Sequence, residues 1–282
     1  MNIETLFWIF HTPLMVVFLI GLVDVTGIWL RGRVEGADGA SAGRKFIILL
    51  GKALRAIFSR QFPIILKAFI TEAWFNRRLW QTSRWRWLSH FLLLNGFLLL
   101  TVLSGLAALS EKVLYHLFHL GHIPWIAMWY MADHPVTALL NEIGATMMTV
   151  GLLFYVFRRY LARPAQLRTG SMDTWMVVGL GLILLTGWVT EIVRLNAHYD
   201  GPAPHLAFIG YPLSLLVAGW NLPWKALADG FYLGHGLLTS IVIAAIPYSK
   251  FMHAVATAMI ATVDAVQQER VVVQGGTAHV PA

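Results

Sequence analysis

GHGLLTSIVIAAIPYSKFMH, residues 234–253, is apolar enough to lie in a membrane, yet it carries a histidine near each end. Read as one helix, it sets His235 and His253 18 residues apart. That is five turns at about 3.6 residues each, so both imidazoles leave one face about 27 Å apart along the axis. A histidine inside a span is costly unless it is hydrogen-bonded, paired or bound to a metal. Two on one face, one toward each side of the bilayer, therefore mark a function.

The remainder of the chain agrees with a membrane setting. Hydrophobic residues make up 57% and charged residues 12%, with a mean hydropathy of +0.65, outside the range of soluble globular domains. Five apolar runs, at about 5–30, 88–110, 135–157, 174–195 and 227–249, are long enough to cross a hydrocarbon core of roughly 30 Å. Only helices satisfy their own backbones over such runs. The expected fold is an all-α integral membrane protein, a five-transmembrane-helix bundle forming one domain over residues 1–268, with a polar tail at 269–282. The first run has no basic region before it and no small-residue cleavage site after it, so it reads as a retained span.

Lysine and arginine set the expected orientation. The segment from Arg31 to Trp87 carries twelve of them, and Arg158, Arg159, Arg163 and Arg168 fill the next basic loop, whereas the other two inter-helix segments hold only Lys112, Arg194 and Lys225. The positive-inside rule puts the N-terminus outside, both basic loops in the cytoplasm and the C-terminus inside; the expected location is the cytoplasmic membrane of a prokaryote. The net charge of +7 is then a matter of topology, and no nucleic-acid partner is implied. No cysteine is present, so this chain ligates no iron–sulfur cluster. After a flexible hinge at 34–43, residues 44–87 mix basic residues with Ile, Leu and Phe. They predict two amphipathic helices on the inner surface, interrupted near Pro63, that meet lipid headgroups or a cytoplasmic partner.

His90 opens span two in RWLSHFLLLNGF. With span two running outward and span five inward, His90 and His253 reach the same cytoplasmic depth. Two imidazoles so opposed can form a bis-histidine haem site, suited to electron transfer because no axial position stays open; otherwise they are interfacial histidines bonded to backbone or water. His235, toward the outer side, needs a partner from His134, His11, or His116, His119 and His122 in HLFHLGH. His134 leads because it begins span three at the outer boundary, with Pro135 suited to a first helical turn. HLFHLGH itself lacks the carboxylate or cysteine that a zinc site would need. In TGWVTEIVR, Glu191 and Arg194 stand at i and i+3, either as a structural ion pair or with Glu191 handling protons or polarising a bound quinol.

The five-span plan, the histidine opening span two, the basic link RRYLARPAQLRTGSMDTW and the pair His235 and His253 around PYSK resemble the gamma subunit of respiratory nitrate reductases. They also resemble its relatives, the cytochrome b subunits of membrane heterodisulfide reductases and of sulfite-reduction-associated electron-transfer complexes, with TGWVTEIVR closer to the heterodisulfide reductase branch. The resemblance implies two haems b, each ligated by one span-five histidine, with His90 as the inner ligand from span two. It also implies electron exchange between the membrane quinone pool and a cytoplasmic iron–sulfur partner by quinol oxidation. The chain would then be the quinol-reactive cytochrome b subunit of an oxidoreductase complex and not a complete enzyme alone. The nitrate reductase pattern asks for a second span-two histidine ten residues on, where this chain has Leu100. That departure argues against nitrate reductase proper. Two rivals remain on residues alone: a transporter with a His and Glu proton relay, whose spans would be more polar, and a non-redox membrane anchor, which leaves the histidine spacing unexplained.

Overall fold

The structure, a computed structural model, describes residues 2–34, 36–163, 170–198 and 204–276. Its helices are α1 (Ile3–Trp29), α2 (Ala42–Ile57), α3 (Phe62–Ala68), α4 (Arg77–Thr82), α5 (Arg84–Ala108), α6 (Pro124–Tyr130), α7 (Pro135–Val156), α8 (Ser171–His198), α9 (Gly210–Val217), α10 (Trp224–Ala245) and α11 (Met252–Gly276). Among the described residues, five helical stretches are long and apolar enough to cross a bilayer: Ile3–Trp29, Arg84–Tyr115, Pro124–Ala162, Ser171–Ala197 and Trp224–Tyr248. They overlap the five expected runs. Among the described residues the regular structure is all helical, with no strand, and the protein is a multi-pass membrane protein.

The chain divides into two compact units, Met1–His11 with Leu88–Val242, and Thr12–Trp87 with Ile243–Ala282. In the first, α5 and α7 approach closely because small residues line their contact. A methyl group on Gly96 would lie 2.5 Å from the Met148 backbone nitrogen, and one on Gly151 would lie 2.5 Å from that of Leu93. Lipid tails are as apolar as leucine, so such backbone proximity, and not exclusion of water, holds membrane helices together. Ser89 Oγ adds a bond to the Gly151 carbonyl at 3.2 Å. On the other side of α7, Trp188 of α8 donates to Thr149 Oγ1 at 3.0 Å. The start of α1 lies along α10, where Phe7 would meet any side chain placed at Gly236. Lys112 gathers Glu4 and Glu111 and sits 5.6 Å above the Trp8 ring.

In the second unit, Lys45 of α2 donates to the Leu30 and Gly32 carbonyls at 3.1 and 2.9 Å. A cation so placed satisfies the open carbonyls at the end of α1. Residues 44–87 resolve into more pieces than the two helices expected. The break falls at Phe58–Gln61, and Pro63 sits in the first turn of α3, where its missing N–H leaves no gap. A π-helical turn, Phe69–Trp74, follows; it and α3 pack on α11. Trp87 closes this region against Phe75 and Trp80, with ring centroids 4.9 and 4.6 Å away.

One expectation is corrected. Residues 234–253 are not a single helix: α10 ends at Ala245, Ile246–Tyr248 form a 3-10 turn, and Ser249 is extended at ψ 174° before α11 begins at Met252. Pro247 cannot donate to the helical ladder and its ring collides with the preceding turn. His235 and His253 therefore stand on different helices, and a shared helix face does not relate them. Pro247 and Tyr248 turn instead onto Gly21 of α1, where a methyl group would lie 2.7 Å from each. Helix α11 runs on to Gly276, since no glycine or proline interrupts the sequence before Gly275.

Replacing Gly151 with alanine should force α5 from α7 and lower stability by about 1–3 kcal/mol, the cost typical of overpacking. Thermal unfolding of the detergent-purified protein measures it; an unchanged midpoint would show that the helices do not depend on this approach.

Candidate functional site

His235 projects from α10 toward α8, where its Nδ1 lies 3.0 Å from Thr186 Oγ1. The Thr186 hydroxyl already directs its one hydrogen at the Leu182 carbonyl, 2.7 Å away on its own helix. It can therefore only accept from the imidazole, which fixes the hydrogen on Nδ1 and leaves the Nε2 lone pair available. This is the tautomer in which a histidine ligates iron through Nε2, with the other nitrogen oriented by a neighbour. Gly187 supplies the room: a methyl group there would stand 3.2 Å from His235 Cε1.

His11, on α1 in the same unit, obeys the same logic. Its Nδ1 lies 2.7 Å from Ser240 Oγ, and Ser240 donates to the Gly236 carbonyl at 2.7 Å. The hydrogen again belongs on Nδ1 and the lone pair on Nε2. Phe7 stacks on the ring at 5.0 Å. Ser240 is five residues beyond His235, about 7 Å along α10 and about 140° around it, so His235 faces α8 while His11 meets α10 on another face.

His134 is arranged differently. It caps α7, with Nδ1 accepting the Val136 N–H at 3.3 Å. A neutral ring that accepts at Nδ1 carries its hydrogen on Nε2, the wrong tautomer for Nε2 ligation. The segment holding His134 meets α8 through Asp133 and Arg194. His235 meets α8 at Thr186, eight residues earlier, about 12 Å away along the axis. His90 lies half-buried on α5 beside Ser89. His253 falls in the first turn of α11, and its side chain lies outside the described residues. Among the described residues no group of three or more His, Asp or Glu is placed to hold a bare metal ion. His235 and His11 both hold their hydrogen on Nδ1, which leaves Nε2 free to act as a ligand.

The second cluster joins α7, α8 and α9. Glu191 is buried on α8, its carboxyl pressed against Gly210, where a methyl group would lie 2.8 Å from Cδ. Only glycine admits that approach. Arg194 does not pair with Glu191 as the i, i+3 spacing suggested: it bonds Asp133, and among the described residues no salt bridge joins it to Glu191. The neighbour of Glu191 is Glu142 of α7, which sequence reasoning passed over. Glu142 is wholly buried, and its Oε1 accepts the Ile209 and Gly210 N–H groups at 2.7 and 2.6 Å. These are N–H groups at the start of α9, where a helix has no internal acceptors and favours negative charge. The available signal was the single acid in the apolar stretch PVTALLNEIG.

Three groups of known proteins bear on this arrangement. Residues 113–272 match the nitrate reductase gamma subunit family. A subunit of the dihydromethanophenazine:CoB–CoM heterodisulfide reductase of Methanosarcina mazei is 24% identical over 252 residues, 86% of each chain. The same subunit from Methanosarcina acetivorans is 25% identical over 258 residues, 88% of this chain and 87% of the relative. An EtfAB:quinone oxidoreductase of Syntrophomonas wolfei is 27% identical over 178 residues, 58% of this chain and 23% of that longer protein. No solved structure matches the chain.

Glu142→Ala should leave two N–H groups without an acceptor and destabilise the protein by about 1–3 kcal/mol for each group left buried. Glu142→Gln, which keeps Oε1, should cost much less. Equal melting temperatures for the two variants would mean that water replaces the carboxyl.

Proposed function

Because the chain belongs to the nitrate reductase gamma subunit family, we propose that this membrane cytochrome b-like subunit is a dihaem b protein. It exchanges electrons between the membrane quinone pool and a cytoplasmic iron–sulfur reductase partner, by quinol oxidation. The observation that carries the reading is the His235–Thr186 pair, which sets a half-buried imidazole with Nε2 open toward a ligand. Haem, when bound, supplies reversible one-electron chemistry that no side chain of this cysteine-free protein offers.

His90 and His253, paired on sequence grounds alone, ligate one haem b, and His235 ligates the other. For the second position beside His235 the sequence offers His134, whereas hydrogen bonding favours His11, whose Nδ1 hydrogen is already committed to Ser240. The printed names of the relatives favour lipid-soluble electron carriers: dihydromethanophenazine in one case and quinone in the other. The absence of cysteine in 282 residues supports a reading in which the iron–sulfur cluster belongs to the partner subunit. The basic residues of 31–87 orient that region to the cytoplasmic side of a prokaryotic inner membrane. There Lys52, Arg55 and Arg60 face lipid headgroups and the partner. Glu191, toward the outer end of span four by the same rule, accepts a proton from the quinol as it is oxidised.

Haem extracted from the pure protein should approach two per chain, and His90→Ala, His253→Ala and His235→Ala should each lower the count toward one. His11→Ala and His134→Ala separate the two candidates, since only the true ligand changes the low-spin spectrum. A purified protein without haem absorption would overturn the proposal. Glu191→Gln retains size and hydrogen bonding but accepts no proton, and should slow haem reduction by a quinol analogue at least tenfold with both haem spectra intact. Reduction at the wild-type rate would confine Glu191 to a structural role.

A further inference from the structure

Glu142 has an uneven hydrogen-bond environment. Both N–H groups that reach it, those of Ile209 and Gly210, bond to Oε1. Oε2 is buried and has no protein partner within hydrogen-bond distance, although the side chain is fully enclosed. A carboxylate accepts at both oxygens, whereas a carboxylic acid accepts at one and donates from the other. At Glu142 the two N–H groups fill Oε1 and leave Oε2 as an enclosed acceptor without a donor.

That oxygen needs a donor, and Glu191 is the acid beside it. Its carboxyl lies against the same Gly210 whose N–H binds Glu142, and the two acids are close enough to interact electrostatically. The other charged groups within range are Asp133 and Arg194, which bond each other. No salt bridge among the described residues reaches Glu142 or Glu191. Two enclosed carboxyl groups without a cation between them cannot both ionise cheaply, and one proton held between them relieves the repulsion.

We infer that Glu142 and Glu191 are a carboxyl pair that shares one proton at the start of α9, with Glu191 donating toward Glu142 Oε2 over one bridging water. The proton moves from one carboxyl to the other, no electron moves with it, and the pair keeps one negative charge throughout. Its two N–H groups stabilise that charge on the Glu142 side, so the pair can take up a proton at Glu191 while releasing another. Use of the pair as acceptor for quinol protons rests on the function proposed above; the shared proton does not.

Infrared spectra of the purified full-length protein in H2O and D2O test this, since a protonated carboxyl gives an isotope-sensitive carboxylic C=O band. The wild type should show such a band, and it should vanish in both Glu142→Gln and Glu191→Gln. In each variant the new amide donates the hydrogen that the shared proton supplied, so the remaining acid ionises. A band absent from the wild type, or persisting in either variant, would overturn the pair. If Glu142→Gln does not fold, Glu191→Gln alone decides, because its band must also disappear. Haem reduction by a quinol analogue is followed in the same samples. Loss of the band with unchanged reduction rates would leave the pair standing and remove its role in quinol oxidation.

Discussion

A chain in hydrocarbon must satisfy its polar groups from within, and most of this structure follows from that demand. Helices satisfy the backbone, but hydroxyl and amide side chains inside the spans also need partners. They bond back to their own helix: Thr101 to Phe97, Thr186 to Leu182, Thr190 to Thr186, Ser240 to Gly236 and Asn95 to Phe91. Such bonds to the preceding turn are the ordinary resort of these side chains in an apolar medium. The consequence reaches further here. A hydroxyl that has given its hydrogen to its own helix can only accept from a neighbour. Thr186 and Ser240 thereby fix the tautomers of His235 and His11.

The same demand explains why α9 is anchored by an acid. A short helix beginning inside the protein exposes N–H groups with no internal acceptor, and Glu142 takes two of them with one oxygen. Gly210 is the hinge of this arrangement, since its nitrogen reaches Glu142 while its bare α-carbon lets Glu191 approach from α8. Any side chain at residue 210 would separate the two acids. Close packing of α5 on α7 holds Glu142 in place in turn, through Gly96 and Gly151.

What could be read from the sequence was whatever depends on neighbours along the chain. The apolar runs gave the five spans because burial in lipid requires unbroken hydrophobic length. His235 stood out because it is polar in such a run. The contacts that decide chemistry join residues far apart: Glu142 to Gly210, Arg194 to Asp133 and His11 to Ser240. Local spacing suggested Glu191 for Arg194, three residues away, but a longer-range partner prevailed. The break at Pro247 was legible in principle. It was hidden by the apolar residues around it, which continue the hydropathy of α10 while the helix itself ends.

Helix α2 extends the same reasoning to the edge of the membrane. It has no buried residue, and Phe46, Ile47, Leu50 and Leu54 are all exposed. In water such a face would be a large unfavourable surface. In a membrane protein it is the pattern of a helix lying in the interface, its apolar side among acyl chains and its lysines and arginines among headgroups. Lys45 ties that helix to the end of α1 through two carbonyls, so its position along the span is fixed by hydrogen bonds to the protein even though its burial is left to lipid. The charges proposed to orient the chain are therefore also structural, because a lysine counted in that basic segment is the one that closes the first helix.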